Sequence, residues 1–167
     1  MLVDASPLIY LAKLDALDVF AGSGHVGLVT PEIERETSRP ALAYEHPDSL
    51  LIAEALRTGL LQRTAVTEDE ATVARRLQQQ AAALKLGEAE VLAAAQARQL
   101  SVLLFERRAL LLASSLGLDV WRPIRLLVAG TRDPDQLRER ILAFARLVNM
   151  PFADVQAILE LLKETNR

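Results

Sequence analysis

The chain opens on two apolar residues, Leu2 and Val3, stopped by Asp4. Apolar side chains then return at Leu8, Ile9, Leu11, Leu14, Leu17 and Val19 with the spacing of one helical face. The pattern predicts a short strand, an acidic turn and a helix, with Ser6 as N-cap and Pro7 in the first turn. After Gly22-Ser23-Gly24, the run from His25 to Thr30 predicts a second strand, and Pro31 opens a helix carrying Glu32, Glu34 and Glu36. Two prolines and several turn formers make Ser38 to Asp48 a loop. A helix over Ser49 to Arg57 and a strand near Leu60 to Thr64 follow. Thr67, with Glu68, Asp69 and Glu70 behind it, starts a helix running to about Gln80. Leu86-Gly87-Glu88 introduces another, and Leu100 to Phe105 reads as the clearest buried strand. A helix from Arg107 to Leu116, closed by Gly117, leads to a last strand at Leu118 to Trp121. From Ile124 on, two or three helices are expected, broken near Gly130 to Pro134 and at Asn149 to Pro151. Strands alternating with helices predict an α/β fold with a parallel sheet and right-handed crossovers.

Composition narrows the chemistry. The 167 residues suit one ordinary core, and 51% hydrophobic residues with only 4% aromatics make that core aliphatic. The chain has no cysteine, which excludes disulfides, thiolate zinc and thiol catalysis and fits a reducing compartment, so a cytoplasmic location is expected. The apolar start lacks a basic leader and is interrupted by Asp4, Lys13, Asp15 and Asp18. No segment offers the roughly 18 uncharged apolar residues of a membrane span, so no membrane partner is expected. A net charge of −3 provides no global attraction to nucleic acid, so such a partner must be held locally or through bound cations.

In an open parallel sheet, ligands bind beyond the carboxyl ends of the strands, which gives weight to Asp4 and Glu106. Glu36 and Glu88 lie on helices whose first turns can face the same edge. Four carboxylates gathered there repel one another, and a divalent cation with oxygen ligands relieves the repulsion. Against this stands chance: with 22 acids, an acid at a strand end or in a first helical turn is ordinary. Ser6 can cap its helix and orient Asp4 at once. Arg107 and Arg108 follow Glu106, and Arg35 and Arg39 flank Glu36. All four are placed to bind phosphates, although helix arginines are more often a solvated face. The two histidines, His25 and His46, have no metal-ligand partner at helical spacing, and no glycine-rich turn follows the first strand.

Taken in order, VDASPLIYLAKLDALDVF, VTPEIERE, LGEAEVLAAAQA and VLLFERRALLLASSLGLDV resemble the PIN-domain proteins, in particular the prokaryotic branch related to the toxins of toxin–antitoxin modules. The resemblance covers roughly residues 1–125, leaving 126–167 as a helical C-terminal extension on the same domain or on a partner. It implies a Rossmann-like three-layer α/β/α sandwich with a mostly parallel sheet. It further implies an acid cluster holding Mg2+ or Mn2+, and metal-activated water that cuts RNA, single-stranded or structured. Asp4 matches the first acid and Ser6 its hydroxyl partner. Glu36 matches the second acid and Glu88 the acid of the Gly-Glu helix start, while Glu90 is expected to point elsewhere on that helix. Where relatives show two adjacent acids after the late strand, this chain has Phe105 and then Glu106. The resemblance thus implies a metal-dependent endoribonuclease, the toxin of a toxin–antitoxin pair, with Asp4, Glu36, Glu88 and Glu106 as ligands. The alternative is a catalytically degraded PIN-like module that binds nucleic acid or a protein. Apolar stripes at Leu137, Ile141, Phe144, Ala145 and Val148, and at Val155, Ile158, Leu159 and Leu162, offer surfaces to the sheet, to a homodimer or to an antitoxin peptide.

Overall fold

The computed structural model describes residues 1–38 and 46–165. Most of the expected loop from Ser38 to Asp48, and Arg39 with it, lies outside the described residues. Five strands form one parallel sheet: β1 (Leu2–Val3), β2 (Gly27–Val29), β3 (Leu61–Arg63), β4 (Val102–Leu103) and β5 (Val120–Trp121), in the order β3-β2-β1-β4-β5. Helices layer the sheet as the sequence predicts, giving a three-layer α/β/α fold with helices following at its C-terminal end. The chain builds outward from β1 to β3 on one side, then returns to add β4 and β5 on the other. The direction of winding therefore reverses between β1 and β4, and open parallel sheets bind ligands outside the carboxyl ends of the strands at such a switch point.

The first helix differs from expectation. α1 (Ala5–Lys13) starts one residue before Ser6, so Asp4 takes the N-cap position with extended backbone (φ −81°, ψ 161°) and Ser6 lies inside the first turn. Asp4 is already the residue that turns the strand into the helix, and a cap one residue later is not needed. The helix also ends sooner than the apolar spacing suggests, because Asp15 adopts a left-handed conformation (φ 49°) and Val19 begins a separate short helix, α2 (Val19–Gly22).

Among the described residues, four helices fill the two crossovers from β2 to β4. α3 (Pro31–Thr37) is capped by the Thr30 hydroxyl, which accepts from the Ile33 N–H at 3.5 Å. α4 (Pro47–Thr58) opens on Pro47 and closes on Gly59 in left-handed conformation. α5 (Glu68–Gln80) begins with a capping box in which Thr67 and Glu70 satisfy each other's backbone N–H groups. The buried Glu70 carboxylate also accepts from Arg98 Nε at 2.7 Å, which clips α5 to the end of α6 (Leu86–Arg98). α6 is buried at Ala89, Val91, Leu92, Ala93, Ala94 and Ala95, and its run of alanines lets neighbouring elements approach closely.

The core centres on Leu2, Val3, Val102, Leu103 and Leu104, each without exposed surface, and each such side chain contributes roughly 1.5–3 kcal/mol of transfer free energy. After α7 (Arg107–Ser115) and β5 come α8 (Pro123–Gly130), α9 (Pro134–Leu147) and α10 (Phe152–Thr165). Leu137, Ile141, Phe144 and Ala145 of α9 are buried. On α10 only Val155 is fully so, with Ile158, Leu159 and Leu162 half-buried. The guanidinium of Arg140 on α9 is buried as well, donating to Asp18 Oδ1 at 2.7 Å and Thr131 Oγ1 at 3.0 Å.

Candidate active site

Asp4 stands at the carboxyl end of the central strand, at the switch point between β1 and β4. Its backbone N–H donates to the Leu103 carbonyl at 3.1 Å, and only 2% of the residue is exposed. Burial pushes its carboxyl up to about 7. The backbone N–H of Ala5 and the Lys85 ammonium pull against that, while the charges of Glu88 and Glu36 add to it. Glu36 is half-buried near the end of α3, and its carboxyl is raised first by burial and then by Glu32, with Glu88 a smaller contributor and Lys85 and Arg35 opposing.

What joins α3 to α6 is a glycine. A Cβ on Gly87 would fall 2.7 Å from Ile33 Cδ1 and 3.0 Å from Glu36 Oε1, so the missing side chain lets Glu36 lie against the start of α6. One residue on, Glu88 Oε2 accepts the Lys85 N–H at 2.9 Å and caps the helix. Asp4, Glu36 and Glu88 therefore share one electrostatic neighbourhood. Glu106 is exposed at the N-cap of α7, makes no capping bond, and acts on the phenol of Tyr10, already raised by burial. Phe105 is half-buried, edge-on to Tyr10 at 5.0 Å and to Phe144 at 5.9 Å.

The remaining predicted residues are placed as follows. Ser6 is half-buried in the first turn of α1, next to Asp4 in the chain. Arg107 and Arg108 open α7, exposed. Arg35 is engaged by Glu32 on its own helix, with Nε donating to Oε2 at 2.8 Å. Two further charges enter the neighbourhood: Lys85, which the sequence pattern did not single out, and Glu90, expected from the sequence to point elsewhere on its helix. Lys85 acts on both Asp4 and Glu36. Glu90, one of the charges that raise the Arg35 guanidinium, has a buried Oε2 with no hydrogen-bond partner among the described residues. The one available signal was their spacing from Glu88, three before and two after.

Among the described residues, no three acids or histidines stand close enough to hold an ion as the side chains lie. The donor chemistry nevertheless fits a hard divalent cation. The charges of Glu36 and Glu88 act on Asp4, which is buried and disfavoured as an anion, and Glu90 Oε2 is a buried acceptor without a hydrogen-bond partner among the described residues. Glutamate side chains have the rotatable bonds needed to close on an ion. Among the described residues no helix is long and apolar enough to cross a membrane.

No curated protein matches the chain. A family model described as a PIN domain matches residues 1–141, from the first residue into α9. The PIN fold is a nuclease-type fold whose members typically use divalent metals. A five-stranded parallel sheet with a buried aspartate at its switch point and a match over most of its length lead to one assignment: the chain belongs to the PIN-domain family.

Proposed function

We propose that this protein is a divalent-metal-dependent endoribonuclease acting as the toxin of a toxin–antitoxin pair. The observation that carries the reading is Asp4: a carboxyl raised to about 7, buried at the sheet's switch point beside two further acids. A fold with no use for a cation there gains nothing from burying that group. Asp4, Glu36 and Glu88 supply the oxygen donors for Mg2+ or Mn2+, Glu106 approaches from α7, and the unpartnered Glu90 Oε2 is a further donor nearby. Bound magnesium or manganese supplies a water-derived hydroxide and neutralises charge on the phosphodiester. Ser6 orients the Asp4 carboxylate. Arg107 and Arg108 hold the phosphates on either side of the scissile bond, as guanidinium forks do. Arg35, bound to Glu32, must exchange that partner to contribute.

One feature favours a second reading. Phe105 occupies the position after β4 where relatives place an acid, and its ring is packed between Tyr10 and Phe144. If the remaining acids do not hold an ion, the chain is a binding module on a PIN scaffold. Calorimetric titration of Mg2+ and Mn2+ into the wild type and Asp4→Asn, beside cleavage assays on mixed single-stranded and structured RNAs, separates the two. Binding and cleavage that both disappear in Asp4→Asn support the nuclease; absence of binding at millimolar ion removes it and leaves the module.

A further inference from the structure

A cavity of about 480 Å³ is lined by residues at and just beyond β4 and β5 together with residues of α9 and α10. Phe105, Phe144, Met150 and Ile158 provide apolar wall, and Arg122 and Asp154 provide charge. We propose that this cavity receives one unpaired nucleobase of a single-stranded RNA, with Phe105 as the stacking surface and Arg122 on the adjoining phosphate. The inference rests on the nuclease reading and specifies how the strand is gripped next to the cut.

Register places the parts. Val3, Leu103 and Trp121 are paired across β1, β4 and β5, so the residues that follow each strand emerge along the same edge. Asp4 follows β1, Phe105 lies two residues beyond β4, and Arg122 follows β5. At a strand spacing of about 5 Å, Arg122 sits roughly 10 Å along the edge from Asp4. A strand whose phosphate reaches the acids thus passes its neighbouring base across the mouth of the cavity.

The ring is already fixed for that use. Tyr10 and Phe144 meet Phe105 nearly perpendicularly, at 81° and 88°, and neither stacks parallel on it. Its orientation is held before any ligand arrives, and stacking loses little to side-chain ordering. Charge complements a nucleotide better than an apolar peptide. Arg122 is exposed and bonded to no carboxylate among the described residues, whereas Arg125 at the same rim is occupied by Asp119 and lies over Trp121 at 3.9 Å. The Asp154 carboxylate can accept from a base N–H, such as N3–H of uracil, and repels a second phosphate, which limits the cavity to the base. Phe144, Met150, Asp154 and Ile158 lie beyond residue 141, so one wall of the cavity comes from a part of the chain that the family match does not cover, while Phe105 and Arg122 lie within it.

The test uses the full-length protein in EDTA, so that no ion bridges strand and acids. Fluorescence anisotropy follows binding of a labelled oligouridine and of the same backbone carrying abasic sites throughout. Phe105→Leu keeps the apolar packing and removes the stacking ring; Ile158→Trp plugs the cavity; circular dichroism and thermal melting confirm that both are folded. The expected result is about tenfold weaker binding of oligouridine by each variant, no change for the abasic strand, and Arg122→Glu weakening both strands. Equal affinity of the wild type for the two strands, or unchanged oligouridine binding by Ile158→Trp, overturns the subsite; if the wild type then still cleaves RNA with metal, the nuclease reading survives it. Base-dependent binding in EDTA without cleavage in any metal sustains the subsite and removes the nuclease.

Discussion

An aspartate with 2% of its surface exposed is held in the folded chain at a cost that depends on pH. Its carboxyl titrates at 3.8 in the open chain and at about 7 in the fold. Below pH 4 both states carry the proton and the folded protein feels no penalty. As pH climbs to 7 the unfolded chain ionises while the folded one resists, so stability drains away and levels off above the folded value. The full separation corresponds to at most about 4 kcal/mol. Asp4→Asn removes the titration, and chemical denaturation in EDTA should find it more stable than the wild type by about 2–4 kcal/mol at pH 8, with the gap closing near pH 4. Saturating Mg2+ should narrow that gap by stabilising the wild type alone, since a ligand that binds only the folded state adds to its stability. Parallel pH profiles for the two proteins would mean that Asp4 is well solvated, and the case for an ion at this edge would lose its foundation.

Helices α2 and α8 meet backbone to backbone. A Cβ on Gly22 would fall 2.1 Å from the Gly130 carbonyl oxygen, and one on Gly130 would fall 2.3 Å from the Val19 oxygen. Neither obstacle is a flexible side-chain end, so the helices must separate to admit a methyl group. Gly22→Ala should therefore cost about 3 kcal/mol, read as a lowered denaturation midpoint at constant slope. A shift no larger than an exposed helix alanine produces would show that α2 yields. This contact was invisible in the sequence, where Gly22-Ser23-Gly24 reads as turn punctuation and Gly130 as a break between helices. Apart from the separate helix α2, element order was legible, because each apolar run and each Pro or Gly boundary is a local signal. Strand lengths were not. Leu100 to Phe105 is apolar enough for a long strand, yet β4 spans only Val102–Leu103, since β1 offers only Leu2 and Val3 as partners before Asp4 turns the chain into α1.

At the scale of the molecule, Asp4 was readable because its place depends on one strand and the turn after it. The gathering of Glu36 and Glu88 around it depends on α3 lying against α6 through Gly87, and the place of Phe105 depends on aromatic contacts with α1 and α9. Contacts between distant elements carry no periodic signature in the chain, and Lys85 was passed over for the same reason. Charge shows a similar split between sum and arrangement. The net −3 repels a polyanion, while Arg107 and Arg108 open α7 and Arg122 caps β5, all exposed near the carboxyl edge of the sheet. If a single strand is held by those three guanidinium groups, each releases counterions, and the logarithm of affinity should fall with the logarithm of salt at a slope of about −2 in EDTA. Replacing both Arg107 and Arg108 by alanine should reduce the slope to about −0.7, leaving the share of Arg122. Potassium chloride titrations followed by anisotropy measure both. A slope near zero in the wild type would place the affinity in contacts other than phosphate, and an unchanged slope in the double variant would move the strand's path away from α7.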